Sequence, residues 1–522
     1  MSSIESSGKR RFIAALFWLL IIGAALAFVF LWWKPFSKAK LNEETGSESQ
    51  YKTEVRVRAD SFNGYCILRS PEMKNQLKRH GVKFTVQDDK ADYLNRMKAL
   101  HAGKADMAVF TVDSLLTAGA KTGDFPVSMV LVIDESRGAD AVVSYKKAVA
   151  SIHDLNKPNA GFVATPDSPS EFLARVVVAD FSLPRLPEKW LTPAEGAAAV
   201  YAEFKKASRT EPKAFVLWEP YVSMALSDPE AHILFSSEKL KNCIIDVLAV
   251  RRQFLKDSPE IVRLVIESYL RAAYSYKDGM EDLVIDDAKA AGETLSREDA
   301  KRVVNGIRWK NTLENYAHFR LIPRQEMKGL EDMEDIVGKI ANILQVTGAA
   351  KGTGVEHSSL FCNKTLAALQ SAGFHPEGKL GLVQGSDTGG DIGEIKAEAE
   401  LPQLSDDGWK KLMPVGQMRI EPISFLRGTS DLSIQSRRDL EELAKTLKSM
   451  PSYYMTVVGH ARMEGDRDAN MQLADERAKV AAEYLVLRLG ISRNRMRAVA
   501  SEPSGGGGAA QSVSFELGQM PY

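Results

Sequence analysis

Charged and polar side chains gather near the C-terminus, within residues 459–478. Arg462, Asp466 and Asn470 come first, and Arg477 follows on a stretch with helical periodicity. A guanidinium holds a carboxylate through two parallel charge-assisted hydrogen bonds, and a carboxylate balances an ammonium group. We therefore predict that these four residues bind a charged group.

The same stretch carries a family pattern. It begins at Phe425, Gly428 and Leu432 and continues through Gly459-His460, Gly465, Asn470, Leu473 and Arg477-Ala478. The pattern resembles that of the peptidoglycan-binding OmpA-like domain, a small α+β fold that grips diaminopimelate by its carboxylate and ammonium ends. The resemblance implies that Arg477 holds the carboxylate and that peptidoglycan is a partner.

One position departs from the family. Arg462 stands where the family has a ligand-binding Asp, and an arginine repels an ammonium group instead of attracting it. Three interpretations stay open. Asp466 or Asp468 replaces the missing carboxylate, the pocket prefers a different anionic group, or the domain is only a docking surface.

A second set of candidate ligand-binding residues lies further upstream, at the ends of predicted strands. In a cleft between two α/β lobes, the loops that leave the strands surround a small solute, and hinge closure excludes water. The candidates, grouped by loop, are Ser61, Phe62 and Asn63; Ser136, Gly138 and Asp140; Thr165, Ser168 and Ser170; and Trp218 with Glu219.

Two of these groups have a structural interpretation as well. The sequence Ser168-Pro169-Ser170-Glu171 has the spacing of a capping box, with proline at the first helical position, so it predicts a helix start. The helix amides there hold an anion or are simply capped. Trp218 and Glu219 line the cleft, or they are a core and a solvated residue.

Strand-length apolar runs alternate with helical patterns across residues 53–345, which predicts an α/β domain with a largely parallel sheet. Several segments, notably Ile133–Val143, Ser151–Leu155 and Ala214–Pro220, together resemble the nitrate, taurine and thiamine-precursor family of periplasmic solute-binding proteins. The resemblance implies a two-lobed type II periplasmic-binding-protein fold and a small-molecule solute, with the second lobe at about 142–245.

The rest of the chain divides into a linker and a tail domain. Residues 346–417 are rich in Gly, Ser and Asp, which predicts a partly structured linker with a short helix at Asn363–Ala372. Residues 418–522 form the predicted OmpA-like domain. Its first strand is expected at Ile420–Phe425, and a flexible loop is expected at Gly505–Gly508.

A single membrane anchor is predicted at Phe12–Trp33, which has no charged residue and at about 1.5 Å per residue is long enough to span a bilayer. Lys9-Arg10-Arg11 precede it and Trp32-Trp33 close it, as expected at a membrane interface. We expect residues 1–11 in the cytoplasm, residues 34–52 as a tether, and the bulk of the chain in the periplasm of a bacterial inner-membrane protein.

Composition excludes some function classes. Lys plus Arg and Asp plus Glu both number 68, so no net field favours a nucleic-acid partner. The cysteines Cys66, Cys243 and Cys362 lack metal-ligand spacing; buried thiols and a Cys66–Cys243 bridge both stay open. The sequence shows no P-loop, nucleophile elbow or zinc-protease motif, so we predict no cofactor, no metal and no catalysis.

These regions together predict a non-enzymatic envelope protein that binds a solute and engages the cell wall, with a sensory, scaffolding or transport-linked role. A membrane-protein partner stays open. One alternative is a stator-like or accessory subunit of a membrane complex, although Phe12–Trp33 lacks the ionisable residue that ion transfer needs. Another alternative is an enzyme acting on a small heterocyclic substrate.

Overall fold

The computed structural model describes residues 51–350, 355–377, 391–426, 428–462, 464–502 and 512–521. The predicted cytoplasmic tail, the Phe12–Trp33 anchor, the tether up to residue 50 and the Gly505–Gly508 loop lie outside these residues. Within this described part, none of the helices combines the length and apolar character needed to cross a bilayer.

Strands alternate with helices through most of the chain. The strands are β1 (Thr53–Ala59), β2 (Val82–Asp88), β3 (Met107–Thr111), β4 (Val127–Ser136), β5 (Asp140–Tyr145), β6 (Gly161–Ala164), β7 (Leu191–Pro193), β8 (Lys213–Trp218), β9 (Ala231–Ser236), β10 (Ile245–Arg251), β11 (Ile307–Trp309), β12 (Met413–Gln417), β13 (Tyr454–His460), β14 (Met496–Ser501) and β15 (Val513–Gln519). The helices are α1 (Cys66–Arg69), α2 (Pro71–Arg79), α3 (Tyr93–His101), α4 (Val112–Thr122), α5 (Pro169–Asp180), α6 (Ala197–Lys206), α7 (Tyr221–Leu226), α8 (Arg252–Asp257), α9 (Pro259–Ser275), α10 (Met280–Ala290), α11 (Arg297–Asn305), α12 (Thr312–His318), α13 (Met333–Val346), α14 (Lys364–Ser371), α15 (Asp406–Lys410), α16 (Ile434–Ser449) and α17 (Arg467–Leu487).

By compactness, residues 51–55 and 74–84 belong to a small unit, and residues 56–73 and 85–522 belong to a large one. In the small unit, the backbone N–H of Lys52 donates to Gly81 O at 2.7 Å, and Lys83 lies 3.5 Å from the Glu54 carboxylate. All of the predicted site residues lie in the large unit.

Two separate sheets confirm the expected two-lobed α/β architecture. The first lobe is built on a six-stranded sheet with the order β11-β4-β10-β3-β1-β2, and the second on a five-stranded sheet with the order β7-β6-β8-β5-β9. The chain passes from the first sheet to the second between β4 and β5, and it returns between β9 and β10. These two crossings place residues 137–139 and 237–244 between the lobes.

The expectation of a largely parallel sheet is wrong. In the first lobe β1 runs parallel to β3, but β10 is antiparallel to both β3 and β4. In the second lobe β6 is parallel to β7 and β8, but β5 is antiparallel to β8 and β9. The two strands that enter a lobe from the other one, β5 and β10, are each antiparallel to both of their neighbours, and the short strand β11 is antiparallel to β4 as well.

The C-terminal domain carries its own four-stranded sheet with the order β12-β15-β13-β14, covered by α16 and α17. The strand expected at Ile420–Phe425 is wrong: β12 at Met413–Gln417 pairs with β15 instead, and residues 420–424 form no strand. The position beside β15 is taken by β12, and the N–H of Ser424 donates to the Ser436 hydroxyl at 2.7 Å instead of to a strand. Phe425 keeps a single bridge to Leu432.

The C-terminal domain is docked on the second lobe through main-chain hydrogen bonds. The N–H of Arg419 donates to Asp180 O at 2.7 Å, and the N–H of Ser182 donates to Gln417 O at 2.9 Å. Beside them, the ring of Tyr453 stacks on Phe235 with centroids 5.9 Å apart. The domain is therefore held against the lobe by backbone and apolar contacts.

Part of the predicted linker is also packed, as a segment we call the strap, residues 391–404. Arg137 grips Glu398 with two hydrogen bonds of 3.0 and 2.9 Å, and Ile395 is buried in a small apolar cluster with Ala317. At the far end of the strap, Pro402 O accepts a hydrogen bond from the Tyr454 hydroxyl at 2.9 Å. The strap thus connects the first lobe to the C-terminal domain.

The structure describes all three cysteines and shows each as a free thiol, so a Cys66–Cys243 bridge is wrong. Cys66 and Cys243 are buried, and burial raises the pKa of both thiols well above the usual range. They pack as small apolar groups.

Candidate functional site

The first predicted loop, Ser61 to Asn63, is held from below by an arginine. Arg69 donates to Asp60 O at 2.8 Å and to Phe62 O at 2.7 Å, and it pairs with Asp287. Ser61 is exposed, and the ring of Phe62 meets Tyr65 edge-on at 5.3 Å. These hydrogen bonds fix the conformation of the loop at the end of β1.

Gly64 allows this loop to approach β4 in the first lobe closely. A Cβ added at Gly64 would lie 2.7 Å from the Asp134 carboxylate and 2.4 Å from the Phe62 ring, so only glycine fits. The Gly64 carbonyl also accepts a hydrogen bond of 2.8 Å from the Trp309 indole. The close approach places the loop against the carboxyl group of β4.

The second predicted group lies where the two interlobe crossings touch. Ser136 donates to the Asp140 carboxylate at 2.7 Å, and its hydroxyl is 2.9 Å from that of Ser237 on the returning crossing. Ser237 Oγ accepts from the N–H groups of Gly138 and Asp140 at 2.9 and 3.2 Å. Ser136, Gly138 and Asp140 are thus joined in one buried network that ties the crossings together.

The fourth group meets the second at the same place. Trp218 lies opposite Asp140 in the β5–β8 register, and the N–H of Glu219 donates to Ala139 O at 3.0 Å. The Glu219 carboxylate accepts hydrogen bonds from Ser223, so it caps α7. Burial, together with the charge of Glu219, raises the pKa of Asp140 to about 6.

The third group starts α5 as predicted, but the expected capping box is not formed. The Ser168 hydroxyl donates to Thr165 O at 2.7 Å and makes no cap bond to the helix. Glu171 instead accepts from the N–H of Asp167 at 2.6 Å and pairs with Arg175. The backbone of the loop before the helix, at Thr165 and Asp167, thus forms the hydrogen bonds that a capping box would have made with these two side chains.

Three buried polar atoms near α5 and α4 have no hydrogen-bond partner among the described residues. They are Thr165 Oγ1, Ser170 Oγ and Asp113 Oδ1. Asp113 stands in the first turn of α4, and burial with the nearby charges of Asp140 and Glu171 raises its pKa to about 7. The three atoms therefore come from both lobes, since α4 belongs to the first lobe and α5 to the second.

The lobes also touch directly around these residues. Lys121 of α4 donates to the Asp167 carboxylate at 2.6 Å, and α13 packs against both α4 and α5. The predicted third loop is therefore enclosed between the lobes.

A buried acid pair lies behind the Gly64 loop. Asp134 of β4 and Asp246 of β10 are register partners, and neither oxygen of the Asp134 carboxyl group has a hydrogen-bond partner among the described residues. The Tyr65 hydroxyl donates to Asp246. Burial raises the pKa of Asp134 to about 7 and that of Asp246 well above its usual range, which favours a protonated carboxyl group at this pair.

The neighbouring Glu135 behaves in the opposite way. Its carboxylate accepts 2.5 Å from the fully buried Lys310 and 2.7 Å from the N–H of Asn242. Burial opposes ionisation, but Lys310 and Arg137 outweigh it and lower the pKa of Glu135 to about 2. Adjacent acids on one strand therefore carry different charges because their side chains point to opposite faces.

Sequence reasoning missed Asp113, Asp134, Asp246, Tyr65 and Ser237. Asp113 had a usable signal, because it follows the Met107–Phe110 run and so lies at a strand exit like the residues that were chosen. Asp246 and Ser237 had none, since their role depends on which strand pairs with which.

In the C-terminal domain, Arg477 is nearly buried on α17. Its Nε donates to Thr429 O at 3.0 Å, and its guanidinium lies over the Phe425 ring at 5.0 Å. Burial lowers the pKa of Arg477 from its ordinary value. The side chain is thus held in place by the segment that precedes α16.

The loop before α17 fixes the other three predicted residues. Asp466 caps the helix by accepting 2.8 Å from the N–H of Ala469, and Asn470 donates to Arg462 O and Glu464 O at 3.2 and 2.8 Å. The Arg462 side chain is half exposed and lies 3.3 Å from Glu464. Asp466 and Asn470 therefore shape the loop, whereas Arg462 points its charge outward.

Comparison with known proteins agrees with this domain. Residues 424–506 match the OmpA family model. The expected OmpA-like domain is thereby confirmed. The peptidoglycan-associated lipoprotein of Rhizobium meliloti (strain 1021) is 34% identical over 77 residues, 15% of this chain and 43% of that protein. The one of Brucella melitensis is 32% identical over 110 residues, 21% of this chain and 60% of that protein. The chain spans about half the length of these curated relatives.

Solved structures resemble the N-terminal part. The alkanesulfonate-binding protein SsuA from Xanthomonas axonopodis pv. citri bound to MOPS has a TM-score of 0.44 and 16% identity, covering 60% of this chain and 99% of that one. A putative periplasmic sulfonate-binding protein SsuA from Methylobacillus flagellatus KT has a TM-score of 0.46 and 14% identity, covering 62% and 95%.

Proposed function

We propose that this chain is a membrane-anchored envelope protein that binds a small solute between its two lobes and binds the cell wall through its OmpA-like domain. The match of residues 424–506 to the OmpA family supports wall binding, as do relatives named peptidoglycan-associated lipoproteins. The 22-residue apolar run Phe12–Trp33 supports anchoring. In this proposal the site residues bind their ligands and catalyse no reaction.

The observation that carries the solute site is a set of buried polar atoms without partners on the contacting helices α4 and α5 and the loop before α5. A buried oxygen without a partner costs about 1–3 kcal/mol, so Asp113 Oδ1, Thr165 Oγ1 and Ser170 Oγ favour a bound group that supplies hydrogen bonds. The carboxyl groups of Asp113 and Asp140 disfavour an anion, and Glu171 is already paired with Arg175. The proposed solute is therefore an amine or a polyol.

A thermal-shift series on the full-length chain tests this proposal. Small diamines and polyols are expected to raise the unfolding temperature, and alkanesulfonates are not. Asp113→Asn should remove the shift, whereas Asp278→Asn, an exposed acid, should leave it unchanged. Stabilisation by the sulfonate alone would contradict the solute class.

The wall-binding half is tested by co-sedimentation of the full-length chain with purified peptidoglycan. Arg477→Gln is expected to release the protein into the supernatant, and Arg437→Gln, an exposed arginine on α16, is expected to leave it bound. Circular dichroism of both variants separates loss of binding from loss of fold. Equal retention of Arg477→Gln and the parent would remove Arg477 from the site.

Sensing is favoured over transport by the docking of the C-terminal domain. Because Arg419 and Gln417 bond to the main chain of the second lobe, closure of that lobe on a solute would carry the OmpA-like domain with it. Slower amide exchange at residues 417–419 on addition of the stabilising solute would support this role. Unchanged exchange there would favour a transport role.

A further inference from the structure

A pocket lies at the C-terminal end of α5, where the second lobe meets the C-terminal domain. Its volume is about 480 Å³, within the range of about 300–1,000 Å³ that is typical of small-molecule sites. The walls are mainly apolar and include Leu183, Leu186, Trp190 and Val346. Val346 is 57% exposed, which is unusual for a large apolar residue beside a packed helix end.

The floor of this junction pocket is rigid. Arg175 lies over the Trp190 ring at 5.3 Å and donates to Thr347 O at 2.7 Å, which ties α5 to the end of α13. The Phe162 ring meets Trp190 edge-on at 5.6 Å. The indole is therefore held from two sides while part of it faces the pocket, as expected for a preformed binding wall.

Two opposite charges line the same pocket. Arg419 has its main chain fixed by the bond to Asp180 O, and its guanidinium forms no ion pair with any residue that the structure describes. Glu188 lies on the loop between Phe181 and Trp190 and likewise has no ion-pair partner within the described ranges. The two side chains form no ion pair with each other, so each can take its own partner.

We propose that this pocket binds an apolar zwitterion, namely an apolar α-amino acid. The carboxylate would pair with Arg419, the ammonium group with Glu188, and the side chain would cover Trp190 and Leu186. Since Arg419 belongs to the C-terminal domain and the other residues to the second lobe, the ligand contacts both. This proposal does not depend on the solute or wall sites.

Isothermal titration of the full-length chain with three matched probes tests the charge pattern. L-phenylalanine carries both charges, phenylacetate lacks the ammonium group, and 2-phenylethylamine lacks the carboxylate. L-phenylalanine should bind at least about tenfold more tightly than either, because each charge-assisted contact contributes roughly that much or more. Equal affinity for all three probes, or binding by none, would overturn the proposal.

Two variants locate the site. Arg419→Gln should weaken L-phenylalanine about tenfold and leave 2-phenylethylamine unchanged, and Glu188→Gln should weaken L-phenylalanine and leave phenylacetate unchanged. Both side chains are exposed, so neither change should affect folding. Arg437→Gln is the control with parental affinity. Tight L-phenylalanine binding that neither pocket variant alters would place the ligand elsewhere and overturn the assignment.

Discussion

Asp134 and Asp246 are register partners on the antiparallel strands β4 and β10, and both are buried in the centre of the first lobe. The Tyr65 hydroxyl donates to Asp246. Two neighbouring buried carboxylates cannot both be charged without a large energetic cost, so the folded state favours a proton there.

This pair predicts a loss of stability as the pH rises. Both pKa values are raised on folding, so the folded state binds more protons than the unfolded state from about pH 4 upward. The free energy of unfolding should therefore fall between about pH 4 and 7 and beyond. Asp246→Asn keeps an acceptor for Tyr65 and removes one of the two titrating acids, so it should flatten this dependence. Urea denaturation at several pH values measures it, with Asp278→Asn as the control; a parallel curve for Asp246→Asn would contradict the assignment.

The buried pair of Lys310 and Glu135 predicts an asymmetric mutational effect. Lys310→Met leaves Glu135 buried with its main partner gone, which should cost about 3–5 kcal/mol. Adding Glu135→Gln to it should recover part of that loss because the charge is removed as well. The exposed pair of Lys479 and Asp475 is the matched control, and Lys479→Met should cost less than about 1 kcal/mol. Chemical denaturation compares the variants; a double variant less stable than Lys310→Met would refute the charge explanation.

We predict that removing the Ser237 hydroxyl, which joins the two interlobe crossings, lowers the stability of the protein. Its Oγ accepts from two backbone N–H groups, so Ser237→Ala leaves the half-buried N–H of Gly138 and the buried N–H of Asp140 without this acceptor, at a cost of about 1–3 kcal/mol. Ser227→Ala, which removes one exposed hydroxyl bond, should have little effect. Thermal unfolding gives the comparison. If Ser237→Ala matches Ser227→Ala, the crossings are held together by other contacts.

We predict that removing the charge of Glu398 increases the local flexibility of the strap. Glu398→Gln removes the bidentate pair with Arg137, so amide exchange should increase in residues 391–404 while the lobes stay protected. Glu400→Gln, an exposed neighbour, should leave exchange unchanged. Mass-spectrometric hydrogen exchange measures both variants, and identical profiles would show that contacts other than the Arg137–Glu398 pair fix the strap.

The sequence was sufficient wherever a local pattern determines the structure. The runs at Met107–Phe110 and Asp246–Val250 are strands, and the motif around Arg477 lies on the expected helix. Proline at position 169 marks the start of α5 correctly. In each case the apolar period or the turn chemistry lies within a few residues of the element it predicts.

The rest depends on contacts between distant segments. The antiparallel direction of β10 follows from the interlobe crossing, and no residue within the strand encodes it. The same applies to Asp134, whose raised pKa comes from burial by segments that are distant in the chain. The Ser168 cap failed for a related reason, because the loop before it offered Thr165 O as a competing acceptor.

The bonds between Arg419 and Asp180 and between Ser182 and Gln417 join peptide groups, so replacing a side chain does not delete them. Substitutions on the outer surface of either domain therefore leave these two bonds in place. The orientation of the C-terminal domain on the second lobe depends on the backbone conformation at residues 180–182 and 417–419.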